Sequence, residues 1–352
     1  MQTTITVVTI NVPVFLDGLC KNIERYGHKR DVDILVSGCY LTPPIEEFCQ
    51  SLETKYSIPI QCFREDGLKK AIPDKEIQRI IPDDHPDRTI ILGLSSYIRG
   101  VERVIALDDD NFVTDADFVG WHSDVGKVKN MQLIQSDTGW HNVHEHLKAD
   151  VKFYPRGYPF GQRHKKTKLS ISSERVRAVV NQGLVLGDPD IDAIQRLAHP
   201  IEATSMNADF EPQFGLKDTW SPFNYQNTCL CRELIPCYFR PKSGLRNADI
   251  WTAYIINKLA GHMGDVITFG QPLVRQVRNE HNLFDDLDIE LQNNRETDYF
   301  CDLLRSVSLS GTTYFKSLNE LLSKVEVDDK HPMSKSFIKE YRTWCEVVAQ
   351  YV

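Results

Sequence analysis

A short apolar run that ends in three consecutive acids constrains this chain more than any other feature. Residues 104–107 are apolar, and Asp108, Asp109 and Asp110 follow directly. Four apolar residues bounded by polar ones predict a buried strand of a largely parallel sheet. Because side chains alternate along a strand, we expect Asp108 and Asp110 to point one way and Asp109 the other.

Two carboxylates on the same side of a strand end repel each other, by about 3 kcal/mol at roughly 5 Å and an effective dielectric near 20. Oxygen ligands of this kind favour Mg²⁺ or Mn²⁺, which also bind diphosphates. Asp108 and Asp110 therefore predict a metal–diphosphate site at the carboxyl end of a central strand, where open α/β sheets place their ligands. The alternative is an acidic loop in water. The preceding apolar run and the motifs that follow favour the site.

The order of elements around this strand indicates the fold class. Strands are predicted at residues 4–11, 33–38 and 58–63, with helices that begin near Pro13 and Pro43 between them. Strands that alternate with helices predict a parallel sheet with right-handed crossovers. We therefore expect an α/β fold whose mostly parallel, Rossmann-like sheet is flanked by helices.

The end of the chain shows a different pattern. Helical periodicity extends over residues 296–352 without residues that suggest chemistry. We therefore predict one catalytic domain over residues 1–290 and a helical appendix over residues 291–352. A homo-oligomer formed through these helices is a further expectation.

Composition and charge exclude several classes of function. The formal net charge of −8 argues against general nucleic-acid binding. No apolar stretch is long enough for a membrane span, and the first residues predict a strand instead of a signal segment. Nine cysteines without a framework spacing are typical of reduced thiols. We expect a cytoplasmic protein.

The common phosphate-binding loops are missing from the sequence. Neither G-x-G-x-x-G after the first strand nor the P-loop pattern occurs, so a nucleotide's charge would be met by metal and basic side chains. Residues 153–168 combine Pro and Gly with aromatics, Arg156, Arg163 and several lysines, which predicts an irregular loop. Its aromatics and cations would stack on a ring and pair with phosphate oxygens. A solvated basic loop is the alternative.

Asp249 stands at the start of a predicted helix. An Asp at this position commonly caps the helix. The functional alternative is a general base whose carboxylate lies at the rim of the sheet. A third pattern, His141, His144 and His146, has metal-like spacing, but a surface loop is the favoured interpretation because no cysteine or fourth ligand accompanies it.

Together these motifs resemble a known set. The sequence is similar to the reversibly glycosylated polypeptide family, whose members are UDP-arabinopyranose mutases, and to STELLO-type glycosyltransferase domains. The resemblance covers about residues 100–290 in a consistent order. The segments that carry it are the acid triplet, residues 156–160 with Arg163, and residues 181–190, 222–228, 249–251 and 278–282.

The resemblance implies a GT-A-type fold, a nucleotide-diphosphate sugar and a divalent metal. By position, the metal would be held by Asp108 and Asp110, with His281 completing its sphere, and Asp108 would lie nearer the ribose. Arg163 falls where the mutase family carries the arginine that becomes reversibly glycosylated. The other substrate-binding residues by this carry-over are Asp109, Arg156, Tyr158, Asn227, Trp251 and Arg278.

Three hypotheses follow. The first is a metal-dependent glycosyltransferase with a UDP-sugar as donor, an unknown acceptor, Mn²⁺ or Mg²⁺ as cofactor, and Asp249 as the base. In it Arg156 and Arg163 stabilise the charge that grows on the departing diphosphate. The second is an isomerase like UDP-arabinopyranose mutase, with Arg163 near the anomeric carbon. The third is a non-catalytic partner subunit that binds a nucleotide sugar.

Overall fold

The computed structural model describes residues 2–38, 43–63, 67, 72–81, 88–278 and 282–352. The strands are β1 Thr3–Thr9, β2 Val32–Gly38, β3 Ile60–Phe63, β4 Arg103–Asp108, β5 Asn111–Val113, β6 Val128–Ser136, β7 Leu147–Lys148, β8 Leu169–Gly187, β9 Ser205–Met206, β10 Gln213–Leu216, β11 Thr228–Cys231 and β12 Val266–Gln276. The helices are α1 Phe15–Arg25, α2 Pro43–Tyr56, α3 Lys75–Ile80, α4 Arg88–Ile98, α5 Phe118–His122, α6 Ala193–Ala198, α7 Ala248–Met263, α8 Leu283–Ser306, α9 Tyr314–Lys324 and α10 Pro332–Val348.

Ten of these strands, within the residues described, form one sheet in the order β3-β2-β1-β4-β11-β8-β6-β10-β12-β5. The first four strands are parallel to one another. Their side chains are almost entirely buried because helices cover the sheet, which explains why the strands read as apolar runs. The α/β class and the parallel, helix-flanked sheet predicted from the alternation are confirmed.

The carboxyl ends of β1 and β4 lie side by side. Val8 pairs with Asp108 in a parallel register, so the chain leaves both strands at the same edge of the sheet. The strand ends at Asp108, and the next two residues form a turn, so the alternation expected for Asp109 and Asp110 does not continue. The tight turn back into β5 is the physical reason.

The other six strands are mixed in direction, and sequence patterns missed three of them, β5, β6 and β10. Strand β11 runs antiparallel to β4 and β8, while β12 runs parallel to β8. At its end β12 pairs with β5, where Gln276 lies opposite Asn111. This pairing returns a distant part of the chain to the acid triplet, which positions the site.

The C-terminal helices pack on the same core as the sheet. Helix α7 is buried on nearly all sides, which explains its apolar composition, and Phe337 and Trp344 of α10 are buried in the same cluster. The predicted boundary between residues 290 and 291 falls inside α8, and the division into a catalytic domain and an appendix stays a prediction. Among the described residues, no helix is both long enough and apolar enough to traverse a bilayer.

Candidate functional site

A cavity of about 580 Å³ opens at the carboxyl ends of β1 and β4. We call it the sheet-edge cavity. Within the part of the chain that the structure describes, acidic and basic side chains line it in equal number. The acids are Asp108, Asp109, Asp110, Asp190 and Asp249, and the bases are Arg156, Arg240, Lys242, Arg246 and Arg278.

The acid triplet is held in place by neighbouring strands. The Thr9 hydroxyl donates to Oδ2 of Asp109 at 2.9 Å. The Gln276 amide donates to Oδ2 of Asp110 at 2.9 Å, and the Asn111 amide donates to Oδ1 at 2.9 Å. Asp109 and Asp110 are therefore oriented by fixed donors, and Asp108 faces the cavity.

The Asp108 carboxylate is accessible from the cavity, but protein atoms of the cavity walls surround it. Burial, and then the negative charge of Asp110, raise the pKa of Asp108 to about 8. Burial also raises the pKa of Asp110, against the opposing effect of the Gln276 hydrogen bond. The negative charges of Asp109 and Asp249 contribute to the shift of Asp108 as well. The site therefore concentrates negative charge that a cation would stabilise.

Arg156 joins two other aspartates that line the cavity, Asp190 and Asp249. Its Nε donates to both oxygens of Asp190 at 2.9 and 3.1 Å, and its Nη2 donates to Asp190 and to Asp249 at 2.9 Å each. Its Nη1 donates to Asp249 at 3.1 Å and to the carbonyl of Arg246. All five N–H groups of the guanidinium are therefore engaged. Arg156 is placed to position two carboxylates and keeps no N–H for a phosphate.

The electrostatics of these three residues follow from the same contacts. Burial opposes the charged form of both partners, but the Arg156 charge and its hydrogen bonds hold the pKa of Asp190 well below the ordinary 3.8. The two aspartates in turn hold the pKa of Arg156 above its usual range despite its burial. Asn224 adds a donor to Asp190 at 2.8 Å. The Asp190 carboxylate and the Arg156 guanidinium therefore both stay ionised at neutral pH.

The backbone around Arg156 requires a glycine. Gly157 has φ +71°, a left-handed conformation that residues with a side chain rarely adopt. A Cβ there would lie 2.4 Å from Cγ2 of Ile250 at the start of α7. The hydroxyl of Tyr254 donates to the Gly157 carbonyl at 2.7 Å. The loop is therefore seated directly on α7, which also carries Asp249.

Arg278 lies at the end of β12, next to this network. Its Nε is 3.2 Å from Asp188, and its Nη2 is 3.9 Å from Asp190. Asp188 also contacts Arg196. The guanidinium of Arg278 is therefore held at the cavity wall by acids of the segment that follows β8.

The donor set fits a hard divalent cation. Among the described residues, no group of three or more His, Cys, Asp or Glu side chains converges as a metal cage. Mg²⁺ is commonly held by one or two carboxylates and completed by substrate phosphates and water. Asp108 and Asp110 supply two carboxylates at one cavity, and burial raises the pKa of both, which matches that arrangement. The predicted third ligand, His281, lies outside the described residues.

Four predicted site residues lie away from the sheet-edge cavity. Arg163 pairs with Asp192 at 2.6 Å and lines a different cavity, together with Tyr158. Asn227 is fully buried, and its amide donates to the carbonyl of Gly183 at 2.8 Å. Trp251, also fully buried, stacks in the core; its indole N–H donates to a threonine of α8. The structure does not bring these residues to the acid triplet.

Several cavity residues were missed as site residues by sequence reasoning. Asp190, Asn224 and Gln226 belong to segments that the resemblance had already marked, so that signal was present. Gln276 and Arg240 lie outside any motif, and no local pattern indicates them. They reach the cavity because β12 and the segment before α7 return to the edge of the sheet.

The histidine pattern is not a surface loop, and that prediction was wrong. His141 and His146 are buried, with their Nε2 atoms 2.8 Å apart. The ring of His146 stacks on Phe214 at 3.9 Å between centroids. Burial lowers the pKa of His141 to about 4 and that of His146 to about 3, so both rings are neutral core residues. Both rings contact the buried ring of Phe214.

Comparisons with known proteins give only distant similarity. No protein-family model matches the chain, and no curated protein matches it. Glucosyl-3-phosphoglycerate synthase from Mycobacterium tuberculosis, solved with Mn²⁺, UDP and phosphoglyceric acid, is 13% identical, with 88% of this chain and 80% of that chain covered and a TM-score of 0.44.

The same enzyme solved with Mn²⁺ and UDP-glucose is 12% identical, with 86% and 79% covered and a TM-score of 0.42. A mycobacterial protein is 12% identical, with 86% and 75% covered and a TM-score of 0.45. Similarity at this level carries no argument about what this chain binds. Membership of the reversibly glycosylated polypeptide or STELLO-type families stays a prediction.

Proposed function

We propose that this chain is a GT-A-type glycosyltransferase that uses a nucleotide-diphosphate sugar, with a UDP-sugar as donor and Mn²⁺ or Mg²⁺ as cofactor. The observation that carries the proposal is the sheet-edge cavity, where the acid triplet and a set of cationic side chains line one space beside two parallel strand ends. A metal bound to a diphosphate needs both signs of charge within one such space.

Asp108 and Asp110 are the residues that would hold the metal. Gln276 and Asn111 orient Asp110, and the raised pKa of Asp108 reflects charge that a cation would stabilise. The metal, when bound, would neutralise the diphosphate and make it a better leaving group. Asp109 is tied to Thr9 and serves to support the turn.

The cationic wall would bind the diphosphate and sugar. Arg278 is held at the wall by Asp188, and Lys242 is exposed beside the cavity. Guanidinium and ammonium groups pair with phosphate oxygens through charge-assisted hydrogen bonds. Arg156 contributes indirectly, since its N–H groups are engaged by Asp190, Asp249 and the Arg246 carbonyl and it positions the two carboxylates.

Asp249 is the proposed general base. Its carboxylate lines the same cavity as Asp108 and Asp110. The Arg156 hydrogen bonds fix its orientation but leave lone pairs on both oxygens, so it can accept a proton from an acceptor hydroxyl.

The mutase alternative gains no comparable support. It needs Arg163 near the anomeric carbon of a bound sugar. Arg163 instead pairs with Asp192 and donates to the Tyr158 carbonyl, in a cavity that does not include the acid triplet. The non-catalytic alternative predicts metal-dependent UDP binding without release of UDP from any UDP-sugar.

The test combines donor binding and turnover. UDP binding, measured by calorimetry, should require Mn²⁺ or Mg²⁺, and a panel of UDP-sugars with the metal should release free UDP. Asp110→Asn should weaken metal-dependent UDP binding by roughly tenfold or more, since one charged contact is worth about that factor. Asp115→Asn is the matched control, because the Asp115 carboxylate is fully exposed and, among the residues that the structure describes, its ion pair is with exposed Arg25.

Asp249→Asn separates catalysis from binding. A general base acts in the transition state, so the variant should lower kcat by about a hundredfold or more with little change in UDP affinity. UDP binding that does not depend on metal or on Asp110 would contradict the proposed site. Metal-dependent binding without any UDP release from the panel would favour the non-catalytic subunit.

A further inference from the structure

A second cavity of about 720 Å³ shares no lining residue with the sheet-edge cavity. We call it the basic cavity. The cations Lys152, Arg163, Lys165, Lys166 and Lys168, the acid Glu145, and the aromatic residues Trp140, Tyr154 and Tyr158 are among its lining residues. Most of these residues belong to the loop before β8, which the sequence had suggested as an aid to donor binding. In the structure, most of these loop residues line the basic cavity, whereas Arg156 of the same loop lines the sheet-edge cavity.

Positive charge dominates the basic cavity in the described part of the chain. Five cationic side chains line it against one acid, Glu145, and that acid is paired with Lys152 at 2.6 Å. Arg163 is likewise neutralised by Asp192. Three exposed lysines remain without an ion pair among the described residues: Lys165, Lys166 and Lys168. In a chain of net charge −8, this is a local reversal of sign.

The loop that carries these lysines is anchored and not merely solvated. The Tyr154 hydroxyl donates to the carbonyl of Arg163. The Arg163 guanidinium donates to the Tyr158 carbonyl at 3.2 Å and lies 3.8 Å from the centroid of the Phe160 ring. A cavity presented by a fixed loop binds with a smaller entropy cost than a mobile lysine tail.

We propose that the basic cavity is a second ligand site, for a small molecule that carries phosphate groups. Lysine ammonium groups bind phosphate as point charges, and three of them without acid partners surround one concavity. The volume is within the range of pockets for organic ligands and is far larger than a phosphate ion needs. This site goes beyond the proposed transferase function and does not depend on it.

The test uses calorimetric titration of the full chain with fructose 1,6-bisphosphate as the probe, and with inorganic phosphate and glucose in separate arms. The triple variant Lys165→Gln, Lys166→Gln, Lys168→Gln should weaken bisphosphate binding by roughly tenfold or more, since each charged contact is worth about that factor. The matched control replaces three exposed lysines of the C-terminal region, Lys316→Gln, Lys330→Gln and Lys339→Gln. It removes the same charge and should bind as the parent does.

The separate titrations distinguish an organic phosphate from free inorganic phosphate as the ligand of the basic cavity. Binding of the bisphosphate without glucose binding supports the proposal, and inorganic phosphate as an equal ligand would assign the site to the free anion. Equal weakening in both triple variants would mean diffuse attraction and would overturn the site, as would no binding of either phosphate compound. The Asp110→Asn variant should bind the bisphosphate normally; its loss there would place the ligand in the sheet-edge cavity instead. A failed UDP assay with intact bisphosphate binding would reject only the transferase.

Discussion

Replacing Arg156 with glutamine is the sharpest test of the buried network. The side chain retains one-tenth of its exposure, and its two acid partners are buried to a similar extent. The variant leaves Asp190 and Asp249 without their shared cation. Asn224 remains as a donor to Asp190, and Arg278 lies 3.9 Å away, so the remaining compensation is weak.

The expected loss follows from the cost of breaking a buried ion pair. Removing one partner costs about 3–5 kcal/mol, mostly because the other charge stays buried and unpaired. An unfolding entropy of roughly 2.1 cal/mol/K per residue over the 352 residues of this chain converts this to a fall in Tm of about 4–7 °C. Arg25→Gln, which breaks an exposed pair with Asp115, should leave Tm unchanged within error.

The pH dependence distinguishes a lost ion pair from lost packing. In the parent, Arg156 holds the pKa of Asp190 below its ordinary 3.8, so the pair stabilises the fold above about pH 4 and loses this effect as the pH falls further. In the variant, burial without the cation favours the protonated carboxyl. The deficit should therefore be largest near pH 8 and shrink toward pH 4.5.

Thermal unfolding followed by circular dichroism at several pH values measures both quantities. A deficit of constant size between pH 8 and pH 4.5 would show that the loss comes from packing alone. A Tm equal to that of the parent at pH 8 would refute the network itself. An Arg156→Lys variant should recover only part of the loss, because lysine cannot donate to both carboxylates in the same fork geometry.

Three further predictions concern stability. Gly157→Ala should lower Tm by several degrees and weaken UDP binding, because the new methyl group would lie 2.4 Å from Ile250 and residue 157 has a positive φ. An unchanged Tm would contradict the requirement for glycine at this position. Trp251→Phe should lower the free energy of unfolding, measured by chemical denaturation, by about 2 kcal/mol, because the smaller ring leaves space beside Phe300 and loses the indole hydrogen bond. UDP affinity should not change; a loss of affinity would show that Trp251 has a role in the site. Burial lowers the pKa of His122 to about 4, so its neutral ring stabilises the fold above about pH 6.5 and this effect is lost as the pH falls toward 4. Proton uptake on unfolding near pH 5, measured by calorimetry in buffers of different ionisation enthalpy, should decrease in His122→Gln.

The first half of the fold was predictable because its information is local. The apolar runs of β1, β2 and β4 are buried, and the helices that alternate with these strands lie close to them in sequence, so periodicity and proline positions sufficed. Strand β6 was missed because its polar and apolar residues do not alternate strictly, and its burial pattern is equally irregular. Its partner, the first part of β8, is almost wholly exposed and reads as a polar loop.

For the candidate site too, local sequence indicates the position of some residues and not of others. Asp108 and Asp110 were predictable because acids directly after a buried strand must emerge at the sheet edge. Arg163 was not, since its placement depends on Asp192, a residue of another segment that captures the guanidinium away from the cavity. Trp251 shares a motif with Asp249, but one face of α7 meets the cavity and the other meets the aromatic core.

By itself, the sequence determined an α/β chain with a concentration of acids at the end of a central strand, because hydrophobic periodicity and strand alternation act over a few residues. Only the tertiary structure decided which cations face those acids. Arg240 lines the same cavity from the segment before α7, and the pairing of β12 with β5 brings the neutral donor Gln276 to Asp110, over separations that no local pattern encodes. Charge compensation acts through space, and for this reason the composition of the site depends on the fold.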